Sequence, residues 1–418
     1  MQRYHYLWLA LVVSLYLLHV LRNLSVIFAF AAPFFCMLGA FFFFLKRKDF
    51  VYDLKGVAAL SAFAFTSFLP VLLSLLWYPE EDYANAYMRY FFIVPYVFFS
   101  IYALDRFEAL ELVLRVYVFF IFFGAVTMFY QVFFGPISWF AEPSEREGLV
   151  RFSSLVGSLT AYGVYAAFAV PVILIIFKNG LLKFVLFFVT ISGMLMTLQK
   201  AAVMNLLVLV FLAILFERGG LKIAIKLLLV AMPVVFSALY FDLGYISSTI
   251  DNVVRFGSDS GATDVSVYQS ILDRIWMLPS ELYKLHGGFG MLMGVGLVGG
   301  SGTLGFPDFP MAHNGFFDLL FIGGVANLLG FLALFTAMYI RIFRLSACVS
   351  NLDSPSKAVV VKACKYIGLL FLANFLFAGV LYFQPYGGVI FYSMVAFFVL
   401  RGGAVYGANA SVSIQSLK

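Results

Sequence analysis

Charge is scarce in this chain: 11% of its 418 residues are Asp, Glu, Lys or Arg, where a soluble domain carries roughly 25%. That scarcity excludes a water-soluble fold. Cysteine is scarcer still, with three residues, Cys36, Cys348 and Cys364, in or beside apolar runs and without the spacing of metal ligands. No disulfide framework follows, and the thiols read as inert packing groups. The net charge of +6 is not gathered into a basic stretch that could grip nucleic acid, so that partner is excluded. Alternating segments of about 10 residues, the signature of a transmembrane β-barrel, are also missing.

What is present is apolar sequence: 63% of the residues are hydrophobic and 19% aromatic. Leu-, Phe- and Val-rich runs of about 20 residues, the length needed to cross a ~30 Å hydrocarbon core, recur from end to end. The expected fold is all-α, a polytopic transmembrane bundle of about twelve spans near 6–21, 24–45, 57–77, 90–104, 112–134, 155–177, 181–198, 201–216, 223–240, 316–340, 364–382 and 389–400. Arg3 precedes an apolar run that lacks a small-residue cleavage site, so that run reads as the first span and not as a removable signal. If the N-terminus is cytoplasmic, 19 of the 27 lysines and arginines fall inside, which predicts that both termini face the cytoplasm. The chain then divides into spans one to nine (1–240), a periplasmic loop (241–312) and spans ten to twelve (313–418).

The long loop invites a functional reading, because connections of this length act as lids or binding elements. Within it Tyr268, Ile271, Leu272, Ile275 and Trp276 recur at helical spacing, predicting a short amphipathic helix on the outer interface, with Arg274 riding on it and Pro279 ending it. Nine of the 21 residues at 286–306 are glycine, a backbone expected to be mobile and able to approach a ligand closely. Gly294, Gly296 and Gly299 formally spell the dinucleotide fingerprint, but no βαβ unit surrounds them.

The basic residues expected outside oppose the topological trend. Arg22, Arg146 and Lys284 read as solvated loop charges. Arg151, Lys200 and Arg274 each abut an apolar run at the outer boundary, where a cation usually has a partner or a task. Guanidinium groups grip phosphate oxygens bidentately, so these three cations suit a diphosphate clamp if folding brings them together. Of the four histidines, His5, His19 and His286 read as structural. His313, at the mouth of the tenth span, can accept a proton near neutral pH. Asp308 and Asp318 are near it, but no second His or Cys stands at i+3 or i+4, so no metal site is expected.

At these residues the chain resembles the bacterial O-antigen polymerase and O-antigen ligase superfamily of integral membrane glycosyltransferases. The resemblance rests on Arg151-Phe152-Ser153-Ser154-Leu155-Val156-Gly157-Ser158, Gln199-Lys200-Ala201-Ala202, Asp273-Arg274-Ile275-Trp276 and His313-Asn314-Gly315. In one place the chain departs from the family, whose members carry Ser-Arg where this sequence has Gln199-Lys200. The resemblance implies a metal-independent, inverting transfer with no cofactor, in the bacterial inner membrane with the site facing the periplasm. Its donor would be an undecaprenyl-diphosphate-linked oligosaccharide, clamped by Arg151, Lys200 and Arg274. His313 and Arg274 would carry the chemistry and Asn314 would support the ring. The Gly315-Phe316-Phe317-Asp318-Leu319-Leu320 run resembles polymerases more than ligases. The expected activity is therefore polymerisation of repeat units in lipopolysaccharide biosynthesis, with ligation to lipid A-core as the alternative and a glycolipid flippase or transporter as a third reading. The lipid bilayer and a chain-length-regulating membrane protein are the further partners implied.

Overall fold

The computed structural model describes residues 3–17, 53–77, 103–140, 143–146, 149–157, 159–197, 200–217, 287–294, 315–347, 355–377 and 385–400, with isolated positions between some of them. Its helices are α1 (Arg3–Tyr16), α2 (Leu54–Trp77), α3 (Phe107–Phe134), α4 (Leu159–Ile176), α5 (Gly180–Met196), α6 (Lys200–Phe216), α7 (Gly315–Ala347), α8 (Pro355–Phe377) and α9 (Pro385–Met394), the last running into a π-helical turn, Val395–Leu400. The one departure from helix among these elements is an antiparallel hairpin, β1 (Ser144–Arg146) with β2 (Leu149–Arg151). Among the described residues, three stretches, Phe107–Phe134, Ile322–Ala347 and Lys357–Phe375, are long and apolar enough to cross a membrane. Shorter apolar helices accompany them, among them Tyr162–Ile176 and Gly180–Met196. The spans expected at 24–45 and 223–240 lie almost wholly outside the described residues.

The centre of the bundle is α4, which packs against α3, α5, α6 and α8. A helix that is apolar all round can be covered by protein on every side, and Tyr162, Tyr165, Ala166, Ala167, Phe168, Ala169 and Ile173 are closed off. Its alanines admit neighbouring backbones closely, as small residues do between membrane helices. Phe168 stacks on Phe371 of α8 with centroids 4.5 Å apart and planes 3° from parallel. Consecutive helices from α3 to α6 run antiparallel. Tyr162 donates to the Ile121 carbonyl (3.1 Å) near one end of the α3–α4 pair, and Arg115 to the Ile176 carbonyl (3.3 Å) near the other.

That alternation gives the bundle two ends of different character. At the end where α4 finishes and α5 starts stand Lys55, Arg106, Arg115, Lys178, Lys183, Arg341, Arg344, Lys357, Lys362 and Lys365. Their anchoring is specific. Arg341 donates to the carbonyls of Phe398 (3.0 Å) and Val399 (2.7 Å) at the end of the π-helical turn, and is ion-paired with Asp53. Asp53 in turn caps α2 by accepting from the Lys55 amide at 3.0 Å. Lys362 pairs with Glu217 at 2.7 Å, and Tyr366 donates to the same carboxylate, tying α8 to the end of α6. The other end, called here the hairpin end, carries β1, β2 and, among the described residues, far fewer basic ones.

Helix α7 is broken inside. Gly323 (φ −138°, ψ 19°) and Gly324 (φ 64°, ψ −163°) leave helical geometry, which separates a first piece, 315–322, from the long remainder. Asn327 repairs part of the break by donating to the Leu319 carbonyl (3.3 Å) and accepting from Ser67 of α2 (2.6 Å). Pro70 lies within α2 and cannot supply the amide that would normally bond the Thr66 carbonyl. That carbonyl lies against Gly323, where an added Cβ would meet it at 2.4 Å. Two helix discontinuities therefore share one level of the bundle.

Candidate functional site

The residues singled out in the sequence come from distant parts of the chain, so the first issue is whether the fold gathers them. Arg151 is the last residue of β2, paired in register with Ser144. The hairpin follows α3, whose helix stops at Gly135 with φ 87°, the Gly135 amide bonding the Gln131 carbonyl at 2.9 Å. After Arg151 the chain does not enter a helix at once, as the expected span from 155 supposed. A tight turn intervenes, in which Ser154 and Gly157 exchange amide-to-carbonyl bonds of 3.0 and 2.9 Å. Gly157 takes φ 108°, a left-handed value that favours glycine and delays the helix to Leu159. Val156 inside this turn is fully buried and wedges against Gly124, where a Cβ would come within 2.7 Å of it.

Lys200 is the first residue of α6. Its approach is fixed by Thr197, which closes α5 with its hydroxyl on the Met194 carbonyl at 2.6 Å. Five residues into α6, Asn205 meets Asn374 of α8. The two buried amides donate to each other at 2.8 and 2.6 Å, and Asn374 also donates to the Leu370 carbonyl at 2.8 Å. The next residue along α8, Phe375, covers Gly315, the first residue of α7, so closely that a Cβ there would meet the ring at 2.4 Å. The start of α6, the end of α8 and the start of α7 are therefore stitched together at the hairpin end.

Of the expected site, the fold brings the backbone of Arg151 and of Lys200 to one end of the bundle, together with the helix start that directly follows His313 and Asn314. Arg274, His313 and Asn314 lie outside the described residues, as do the side chains of Arg151 and Lys200 and the amphipathic helix expected at 268–276. The glycine-rich stretch is described at 287–294 and at Gly296; Gly287 and Gly288 have open space around them, whereas Gly294 and Gly296 lie against protein backbone. Gly294 takes φ 68°, and its Cα lies against the backbone of the α7 break, where a Cβ would meet Gly323 N at 2.6 Å. The Gly296 amide bonds the Ile322 carbonyl at 2.9 Å. At Gly294 and Gly296 the missing side chains serve a close backbone crossing; the rest of the stretch expected to be mobile, 297–306, lies outside the described residues.

Sequence reading passed over Thr127, Gln131, Asn205 and Asn374. The available signal was an isolated amide or hydroxyl in an otherwise apolar helix, which is costly unless bonded. No protein-family model matches the chain, and no curated protein matches it significantly.

Proposed function

We propose that the chain is an O-antigen polymerase, a bacterial inner-membrane glycosyltransferase that joins undecaprenyl-diphosphate-linked oligosaccharide units at the periplasmic face. The observation that supports this most is the convergence at the hairpin end of β2 ending in Arg151, α6 beginning with Lys200, and α7 beginning just after His313. Among the described residues, basic side chains otherwise crowd the opposite end, which under the positive-inside rule is the cytoplasmic one.

The chemistry assigned to these residues is a single displacement. An acceptor hydroxyl attacks the anomeric carbon of the donor glycan as His313 takes its proton; the anomeric carbon–oxygen bond to the diphosphate breaks, and undecaprenyl diphosphate leaves with that electron pair. Arg151, Lys200 and Arg274 stabilise the charge that develops on the departing diphosphate. Asn314 supports the imidazole, and the sugar inverts because displacement occurs once. The reaction requires no cofactor.

Deleting the gene and resolving surface glycan on a gel tests the reading. Core bearing one repeat unit is the expected product; free core with accumulated lipid-linked polymer would instead indicate the ligase. A transporter for the same glycolipid gains one argument, the break in α7, since interrupted helices serve substrate sites in transporters. Reconstitution decides between them: a polymerase elongates glycan in detergent, where a transporter has no gradient or second compartment to act on.

A further inference from the structure

At the hairpin end two polar side chains of α3, Gln131 and Thr127, bond entirely to backbone. Gln131 is 1% exposed, inside the last turn of an apolar helix. Its Nε2 donates to the Ser153 carbonyl at 2.7 Å and to the Thr127 carbonyl at 3.1 Å, while its Oε1 accepts from the Ile137 amide at 3.2 Å. Thr127, one turn earlier on the same face, donates to the Gly124 carbonyl at 2.8 Å and accepts from the Leu155 amide at 3.1 Å. Both donors of the Gln131 amide are used, and an amide has no others to give.

Two side chains on one face of α3 thus hold three separate points of the following chain: Ile137 before the hairpin, and Ser153 and Leu155 after it. The second pair of points begins two residues beyond Arg151. On the other side of the same turn, Val156 and the Tyr162 ring both close on Gly124, where a Cβ would meet them at 2.7 and 2.9 Å. A buried amide is an expensive way to fill space, because shape-matched apolar groups pack there without the penalty of an unmade bond. Its advantage is directional: hydrogen bonds fix a backbone in register where hydrophobic contact lets it slide. Catalytic geometry is sensitive on that scale, as a misplacement of about 1 Å can cost 10²-fold in rate.

We propose that Gln131 and Thr127 are the positioning residues of Arg151, holding the turn 153–157 on α3 so that the guanidinium meets the donor's diphosphate in a fixed place. This rests on Arg151 being a diphosphate ligand. The experiment therefore has one arm that reads position and another that reads the anion. In the first, a nitroxide is attached at Arg151→Cys in a background lacking Cys36, Cys348 and Cys364, and its mobility is measured in purified protein. Gln131→Met and Thr127→Val should each mobilise the label, while Thr127→Ser, which keeps the hydroxyl, should leave it immobile. A label equally immobile in the Met and Val variants overturns the proposal.

In the second arm, undecaprenyl diphosphate in micelles is titrated against thermal stability, with Arg151 intact. Gln131→Met and Thr127→Val should weaken the apparent affinity about tenfold, equivalent to ~1.4 kcal/mol, and Thr127→Ser should restore it. Adding Arg151→Ala to Gln131→Met should weaken it no further than Arg151→Ala alone. If Arg151→Ala abolishes protection while the Met and Val variants keep it in full, the positioning role is overturned. If Arg151→Ala has no effect on protection, the donor-clamp reading fails, and the label mobility alone decides whether Gln131 and Thr127 fix the segment.

Discussion

Gly294 and Gly324 meet backbone to backbone: a Cβ on Gly324 would lie 2.2 Å from the Leu292 carbonyl oxygen, and one on Gly294 would lie 2.6 Å from Gly324 N. Both take positive φ, 68° and 64°, so neither the space nor the backbone there accommodates an L side chain. Gly324→Ala should therefore cost about 2–4 kcal/mol of stability, combining strain with displaced backbone. Gly135 also has positive φ but open space around it, so Gly135→Ala should cost about 1–2 kcal/mol. Gly180, open and without positive φ, should tolerate alanine. Thermal unfolding in detergent that ranks the three otherwise would refute the crossing.

How much of this was legible beforehand differs from element to element. The helix spanning Phe107–Phe134 announced itself, because an apolar run of that length has few alternatives. The break at Gly323–Gly324 did not, since a Gly-Gly pair within an apolar helix is compatible with a continuous span. It is the third strand of backbone, at Gly294 to Gly296, that exploits it. Arg151 stood out as a cation at an apolar boundary, while the Gln131 amide that holds its neighbours looked like an ordinary polar interruption of α3. Hydrogen bonds across 22 residues of sequence leave no local pattern to read. The gathering of Lys200 and the start of α7 likewise depends on Asn205 finding Asn374, a match of two isolated amides in separate helices.

The amide pair makes its own prediction. Replacing Asn374 by Leu leaves the Asn205 amide buried without its partner, which should cost about 1–3 kcal/mol. Replacing both with Leu removes the orphaned group as well, and the double variant should recover most of the loss. A double-mutant cycle on thermal stability checks this; simple additivity would mean that the pair does not couple α6 to α8.

At the opposite end, Asp53 has two tasks that substitutions can separate. Asp53→Asn keeps an acceptor for the Lys55 amide and loses the charge facing Arg341, for about 1–2 kcal/mol in this partly exposed setting. Asp53→Ala loses the cap too, at roughly 1 kcal/mol more. The Arg341 hydrogen bond and charge, helped by the Lys55 and Gly56 amides, hold the Asp53 carboxyl below its ordinary value against a desolvation that pushes it up. A carboxylate with a lowered folded-state pKa stabilises the fold above the unfolded value of about 3.9. The contribution disappears as pH falls through that value towards the lowered one. The stability difference between parent and Asp53→Asn should accordingly shrink on acidification below about pH 4 and stay constant above about pH 5.

The two cations at the hairpin end should respond differently to exchange. Lys200→Arg restores the residue carried by the resembled family and should be tolerated, whereas Arg151→Lys replaces a bidentate fork with a point charge and should lower turnover. Arg274→Ala should be severe, with a loss of about 1.5–3 kcal/mol of binding or transition-state stabilisation. Donor titration and turnover with purified protein separate the cases, and full activity in Arg274→Ala would remove that residue from the clamp.

His313 carries the boldest expectation. It stands two residues before Gly315, the α7 start that Phe375 covers. A general base typically contributes 10²- to 10⁴-fold, so His313→Ala should abolish polymer growth in cells while the protein still inserts and accumulates. His313→Gln separates proton transfer from hydrogen bonding, since an amide donates and accepts hydrogen bonds but takes no proton near neutral pH. Turnover in purified His313→Gln should fall as far as in His313→Ala, and the parent's rate should drop as pH falls below the imidazole range, where the base is already protonated. Asn314→Ala should be milder, because a residue that orients the ring affects the rate only through it. Near-normal turnover in His313→Gln would leave the ring a positioning role and require the acceptor proton to go to another base.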